Sequence, residues 1–158
     1  MLGDIYSLTS SSYPTGKLIL ITAENANNPS KVNVKYWFRI DTKNKKYFYV
    51  NRSPNTSLQL IDQQVYVTPD DDIPSLNELY TAGTLGMDLD EALAIANAKC
   101  TTPANCKNST TKAQVIRTST GTIWQITYQM TGQAKAQVIQ IDANSKKILY
   151  QSTGFTTK

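Results

Sequence analysis

Met87-Asp88-Leu89-Asp90-Glu91-Ala92-Leu93-Ala94-Ile95-Ala96-Asn97-Ala98 reads as a short amphipathic helix with its start signal in place. Asp88 can cap the first turn, and Glu91, three positions on, can reach back as in a capping box. Leu89, Ala92, Leu93 and Ala96 then recur at helical spacing, with Ile95 widening the apolar stripe. The alanines predict a helix that lies close against a sheet. Asp88, Asp90 and Glu91 could be imagined as catalytic carboxylates, but acids in a first turn are what the positive end of a helix favours, so capping is the preferred reading.

Downstream the apolar period changes from that of a helix to that of a strand. Lys112 to Thr118 reads as one strand and Ser119-Thr120-Gly121 as a tight turn. In Ile123 to Met130, Trp124, Ile126, Tyr128 and Met130 share one face. Thr131-Gly132-Gln133 turns the chain again. Ala136 to Asp142 follows, with Ile139 and Ile141 on one face and Val138 on the other. After the turn from Asp142 to Lys146, Ile148-Leu149-Tyr150 closes the sheet, and the tail to Lys158 reads as frayed.

Helix followed by antiparallel meander, over Met87 to Leu149, resembles the PepSY domain, a small cystatin-like module. The residues that carry the likeness are the capped helix, the aromatic strand Ile123-Trp124-Gln125-Ile126-Thr127-Tyr128, and the ending Ile141-Asp142-Ala143-Asn144-Ser145-Lys146-Lys147-Ile148-Leu149. The family commonly ends in valine-Asp-Ala-x-Thr-Gly-x-x-Leu. Here Ser145 replaces the threonine and Lys146 stands where glycine is usual, which leaves the turn type open. The resemblance implies an α+β fold, an antiparallel meander packed on a short helix, and a non-catalytic extracytoplasmic binding module that restrains or assists a peptidase.

The first half is also β-rich. Lys17 to Ala23 holds Leu18, Ile19, Leu20 and Ile21 in one run, which predicts a strand covered on both faces. Glu24 to Ser30 is a loop. Lys31 to Asp41 alternates strictly, with Val32, Val34, Tyr36, Phe38 and Ile40 on one face and Asn33, Lys35, Trp37, Arg39 and Asp41 on the other. Lys46 to Val50 returns as a strand, and Leu58 to Thr68 supplies another strand or pair of strands. Ile40-Asp41-Thr42-Lys43-Asn44-Lys45-Lys46 echoes Ile141 to Lys147 at a fixed offset, and Gly16 to Thr22 parallels Gly121 to Thr127. The echo reads equally as a degenerate second copy, giving two tandem cystatin-like units, or as chance recurrence of strand–turn–strand chemistry. The expected organisation is a lead-in over 1–15, a β-rich unit over 16–80 and a PepSY-like unit over 84–152. A short helix is expected over Ile73 to Tyr80, led in by Asp70-Asp71-Asp72, a run read as helix-start charge before cation binding.

The 158 residues include no histidine, which removes His-based acid–base and nucleophilic chemistry and most zinc sites. No phosphate-cradling glycine loop or metal-spaced ligand set replaces it, so the expectation is no enzyme, no cofactor and no metal. Charged residues make up only 18%, and the polar surface falls to Asn, Gln, Ser and Thr. Cys100 and Cys106 flank Thr-Thr-Pro-Ala-Asn in a polar loop and are read as a disulfide in preference to two thiols, which places the protein in an oxidising, extracytoplasmic compartment. No run approaches the roughly 20 apolar residues of a membrane span, and Met1 to Tyr13 lacks the pattern of a signal peptide. Any signal or anchor is expected outside this sequence.

The expected partner is a protein or peptide, with open strand edges as one physical route to it. A structural or surface-assembly role is the alternative. The net charge of +4 permits a weaker third reading, a basic nucleic-acid contact through Trp37, Arg39, Lys43, Lys45 and Lys46. Those five residues are the candidate partner-contact surface, although turn lysines are ordinarily just solvated.

Overall fold

The computed structural model describes residues 14, 16–41, 46–54, 59–65, 86–152 and 156–157. The elements are β1 (Lys17–Glu24), β2 (Asn33–Asp41), β3 (Lys46–Arg52), β4 (Gln59–Val65), α1 (Leu89–Ala98), α2 (Pro103–Asn108), β5 (Thr110–Thr118), β6 (Gly121–Gln129), β7 (Gln133–Lys135), β8 (Gln137–Asp142), β9 (Ile148–Gln151) and β10 (Thr156–Thr157). Eight strands form one sheet in the order β4-β3-β2-β1-β5-β6-β8-β9. Every pairing in it is antiparallel. It consists of two four-stranded meanders joined through their first strands, Ile21 opposite Val115 and Ala23 opposite Ala113. A single α+β sheet therefore crosses both halves of the chain. β7 pairs with β10 in a small second sheet, so Thr156 and Thr157 are held where the sequence reads only fraying.

The run Leu18 to Ile21 is buried on both faces as its composition requires, and a register shift between Leu18 and Leu20 sets which residues share a face. Such a bulge adds a residue to one strand and changes which face its neighbours serve. Leu18, Ile21 and Ala23 join the main core with Tyr36, Phe38, Phe48, Val50, Val115, Trp124, Ile126, Tyr128, Ile139 and Ile141. Ile19 and Leu20 form a second cluster, with Trp37 and Ile116 packed against it. Phe38 and Phe48, directly opposite across β2 and β3, stack with centroids 4.9 Å apart.

α1 packs on β6 and β8 through Ala92, Leu93 and Ala96. The two alanines are fully covered, as close approach demands. Asp88 caps the helix, its carboxylate accepting from the Glu91 N–H at 2.9 Å. The other half of the expected capping box does not form along α1. Glu91 turns outward instead, and its Oε1 accepts from Lys146 Nζ at 2.6 Å, joining the helix to the β8–β9 turn. The polar segment between the cysteines, read as loop, contains the start of α2. Pro103 opens that helix, where its missing N–H costs nothing.

The β8–β9 turn is organised by Asp142. Asp142 Oδ1 accepts from the N–H groups of Asn144 (3.1 Å) and Ser145 (2.6 Å). These bonds, with that from Ser145 N–H first, hold its carboxyl below the ordinary carboxylate range. The chain then returns through Lys146 at φ 61°, the left-handed region. A side chain there costs about 1 kcal/mol, part of which glycine gives back in unfolded-state entropy. The exposed Lys146–Glu91 pair contributes only a few tenths of a kcal/mol. Lys146→Gly is therefore expected to stabilise the fold by about 0.5 kcal/mol, read from urea midpoints. A lower midpoint would contradict this.

Candidate functional site

On the helix side of the sheet a cleft of about 400 Å³ opens between the first meander and the start of α1. Ile21 and Ala23 of β1 and Val34 and Tyr36 of β2 form one wall. Ala26, Pro29 and Val32 of the β1–β2 loop close one side, and Arg52, Ser53 and Pro54, at and beyond the end of β3, contribute another. Met87, Leu89 and Trp124 face them, with Asp88 and Asp90 also lining the cleft. Most of this lining is apolar, and the volume is within the range of small-molecule and side-chain pockets.

The walls are held by directional bonds. Trp124 Nε1 donates to the carbonyl of Met87 at 3.1 Å, which fixes the chain entering α1 against the sheet. Tyr36 is buried, and burial pushes its phenol above the ordinary tyrosine range, partly offset by the charge and hydrogen bond of Arg52. The loop from Asn25 to Val32 is pinned from within, since the N–H groups of Lys31 and Val32 both donate to the Asn28 carbonyl, at 3.0 and 2.8 Å. Outside help comes from Asn27, whose Nδ2 lies 3.1–3.4 Å from the carbonyls of Cys106, Lys107 and Ser109 at the end of α2. Ala26 N–H extends the β1–β5 pairing to Thr111 O at 2.8 Å. The loop wall is thus tied to the end of α2 and the start of β5, beginning at Cys106.

Cys100 and Cys106 are joined in a disulfide. Both sulfurs are buried beside Gln137, a fully covered side chain whose Oε1 also accepts from the Thr101 N–H at 3.4 Å. A disulfide sulfur carries no proton, so the sulfur–oxygen approaches are contacts and not hydrogen bonds.

Of the predicted contact residues, Trp37 and Arg39 are on the opposite face. Trp37 is half-buried, opposite Leu20 and Tyr49, with its ring 4.8 Å from that of Tyr49 and its Nε1 3.4 Å from Thr22 Oγ1. Lys35 Nζ lies 5.3 Å from the Tyr49 ring centroid. Arg39 is on the same strand, opposite Tyr47. Lys46 begins β3, while Lys43 and Lys45, like Asp70 to Asp72 and Ile73 to Tyr80, fall outside the described residues. The cleft itself was missed by sequence reasoning. Alternation assigned Val34 and Tyr36 to the covered face, but it cannot distinguish a close-packed face from one that lines a cleft.

Among the described residues, no group of three or more His, Cys, Asp or Glu could hold a metal ion, and no helix is long and apolar enough to cross a membrane. The fold and cleft describe an antiparallel α+β protein with a preformed apolar recess. No family model matches the chain, and no curated protein matches it in sequence. Among solved structures, a candidate lipoprotein of Clostridium difficile 630 is similar, with a TM-score of 0.57 and 12% identity over 96% of this chain and 91% of that one. At that identity the likeness concerns the fold alone.

Proposed function

We propose that this protein is a non-catalytic extracytoplasmic binding module that receives an apolar segment of a protein partner in the cleft beside α1. The observation that carries the reading is the cleft, an apolar recess whose loop wall is held by Asn27 and whose inner wall is held by Trp124. A recess held open in this way spares a partner the cost of ordering it. The disulfide supports an oxidising compartment, and the naming of a structural neighbour as a candidate lipoprotein is consistent with it. Two meanders joined first strand to first strand are what two tandem cystatin-like units, fused edge to edge, would produce. The PepSY-like helix and turn favour a secreted or membrane-bound peptidase as the partner, restrained or assisted by the module.

The test is capture from the envelope fraction of the source cells, followed by initial rates of the captured peptidase on a fluorogenic peptide. Added protein is expected to change those rates saturably. Val34→Arg, which places a cation in the cleft wall at a half-buried position, is expected to abolish capture while leaving the circular dichroism unchanged. Undiminished capture by Val34→Arg would remove the cleft from the reading. Capture without any change of rate would remove the peptidase.

A further inference from the structure

We infer that the open edge of β9 is a strand-addition site for an extended peptide with acidic flanks, separate from the cleft. β9 ends the eight-stranded order, so among the described residues one side of its backbone has no strand beside it. The Ile139–Gln151 pair falls between Gln140–Tyr150 and the Ser152 N–H to Val138 carbonyl bond of 2.9 Å. By the alternation of an antiparallel ladder, the N–H and C=O of Gln151 therefore face away from β8. Such groups are a template for another strand, and natural edges are blunted by shortness, bulges, charge or proline. β9 is short and bulged, but within it there is no charge and no proline. It carries Leu149, 53% exposed, and Tyr150, 51% exposed, the exposed large hydrophobic side chains of the described residues.

The surrounding charge identifies the occupant. Lys147 immediately precedes β9, and Lys99 lies beside its far end, where Gln151 Nε2 donates to the Lys99 carbonyl at 2.8 Å. Both lysines are exposed, and neither joins an ion pair among the described residues. A second copy pairing antiparallel about the middle of β9 would bring Lys147 of each copy beside Lys99 of the other. That is like charge against like charge, in a chain already carrying +4. A peptide with acidic residues at both ends and β-forming residues between satisfies the backbone, the exposed side chains and both lysines together.

The probe is a fluorescein-labelled peptide of alternating valine and threonine with two aspartates at each end, followed by anisotropy and by amide resonance shifts. Saturable binding is expected, with shifts centred on Ile148 to Ser152, and weakening with added salt. A lysine-flanked version is expected to bind at least about tenfold more weakly. A version N-methylated at both its valines and its threonines, unable to donate from either edge of its backbone, is expected not to bind. Leu149→Ser with Tyr150→Ser is expected to lose about tenfold in affinity with an unchanged dichroism spectrum. Val34→Arg should bind the probe normally, which separates this site from the cleft. Absence of binding at about 1 mM peptide, equal binding of the N-methylated peptide, or shifts confined to the cleft would each overturn the assignment. Sedimentation showing a dimer that Leu149→Ser with Tyr150→Ser dissolves would overturn it in favour of a second copy.

Discussion

Trp124→Ala is expected to lower the unfolding free energy by about 3–5 kcal/mol, the range for truncating a large buried aromatic side chain. The indole is 3% exposed, opposite Val115 and Ile141 in the register, and forms part of the cleft wall. Removing it leaves a void under α1 and deprives the Met87 carbonyl of its donor. Part of the void adjoins the cleft, so water or a rearranged Met87 can fill some of it, which favours the lower end of the range. Urea denaturation followed by far-ultraviolet dichroism measures the loss. If the alanine variant does not fold, Trp124→Phe keeps most of the packing and loses the hydrogen bond, at an expected cost of about 1–2 kcal/mol. A loss below about 1 kcal/mol for Trp124→Ala would mean that the indole is not a structural wall of the cleft.

Breaking the Cys100–Cys106 disulfide is expected to cost about 2 kcal/mol, because the loop it closes is short and chain-entropy stabilisation grows with loop length. The effect should spread beyond the loop. Cys106 is part of α2, and the three carbonyls that hold Asn27 belong to Cys106 and Lys107 of that helix and to Ser109 just after it, so loosening α2 releases the β1–β2 loop from one of its tethers. Amide hydrogen exchange is expected to quicken at Ala26 to Val32 as well as at Thr101 to Ser109, in reduced protein and in the paired Cys100→Ser, Cys106→Ser variant. Faster exchange confined to 101–109 would show that the cleft wall is independent of the disulfide. An unchanged midpoint on reduction would contradict the stabilisation itself.

Local chemistry made much of the fold legible. Strict alternation from Val32 to Ile40 put Tyr36 and Phe38 in the core, and the four-residue run Leu18 to Ile21 required cover on both faces. Asp88 was readable as a cap because the geometry it satisfies spans only three residues. Glu91 was not, since its choice between the helix's own N–H and the Lys146 ammonium depends on a turn 55 positions away. The likeness to a family that commonly has glycine at the position of Lys146 left the turn type open, and the backbone there is left-handed at φ 61°.

The sequence by itself determined the strands of the main sheet, the capped helix and the alanine face of that helix, all features set by contacts within a few residues, but not β7, β10 or α2. Only the tertiary structure decided that β1 pairs with β5, so that two meanders become one eight-stranded sheet with β4 and β9 at its edges. That pairing joins strands about 90 residues apart, and the alternation of each strand is compatible with many neighbours. The cleft, which lies between β1 and β2 on one side and Met87 to Asp90 and Trp124 on the other, follows from this choice. A recess and an unpaired edge are properties of which surfaces remain uncovered once every element has found its partner, and no local pattern encodes them.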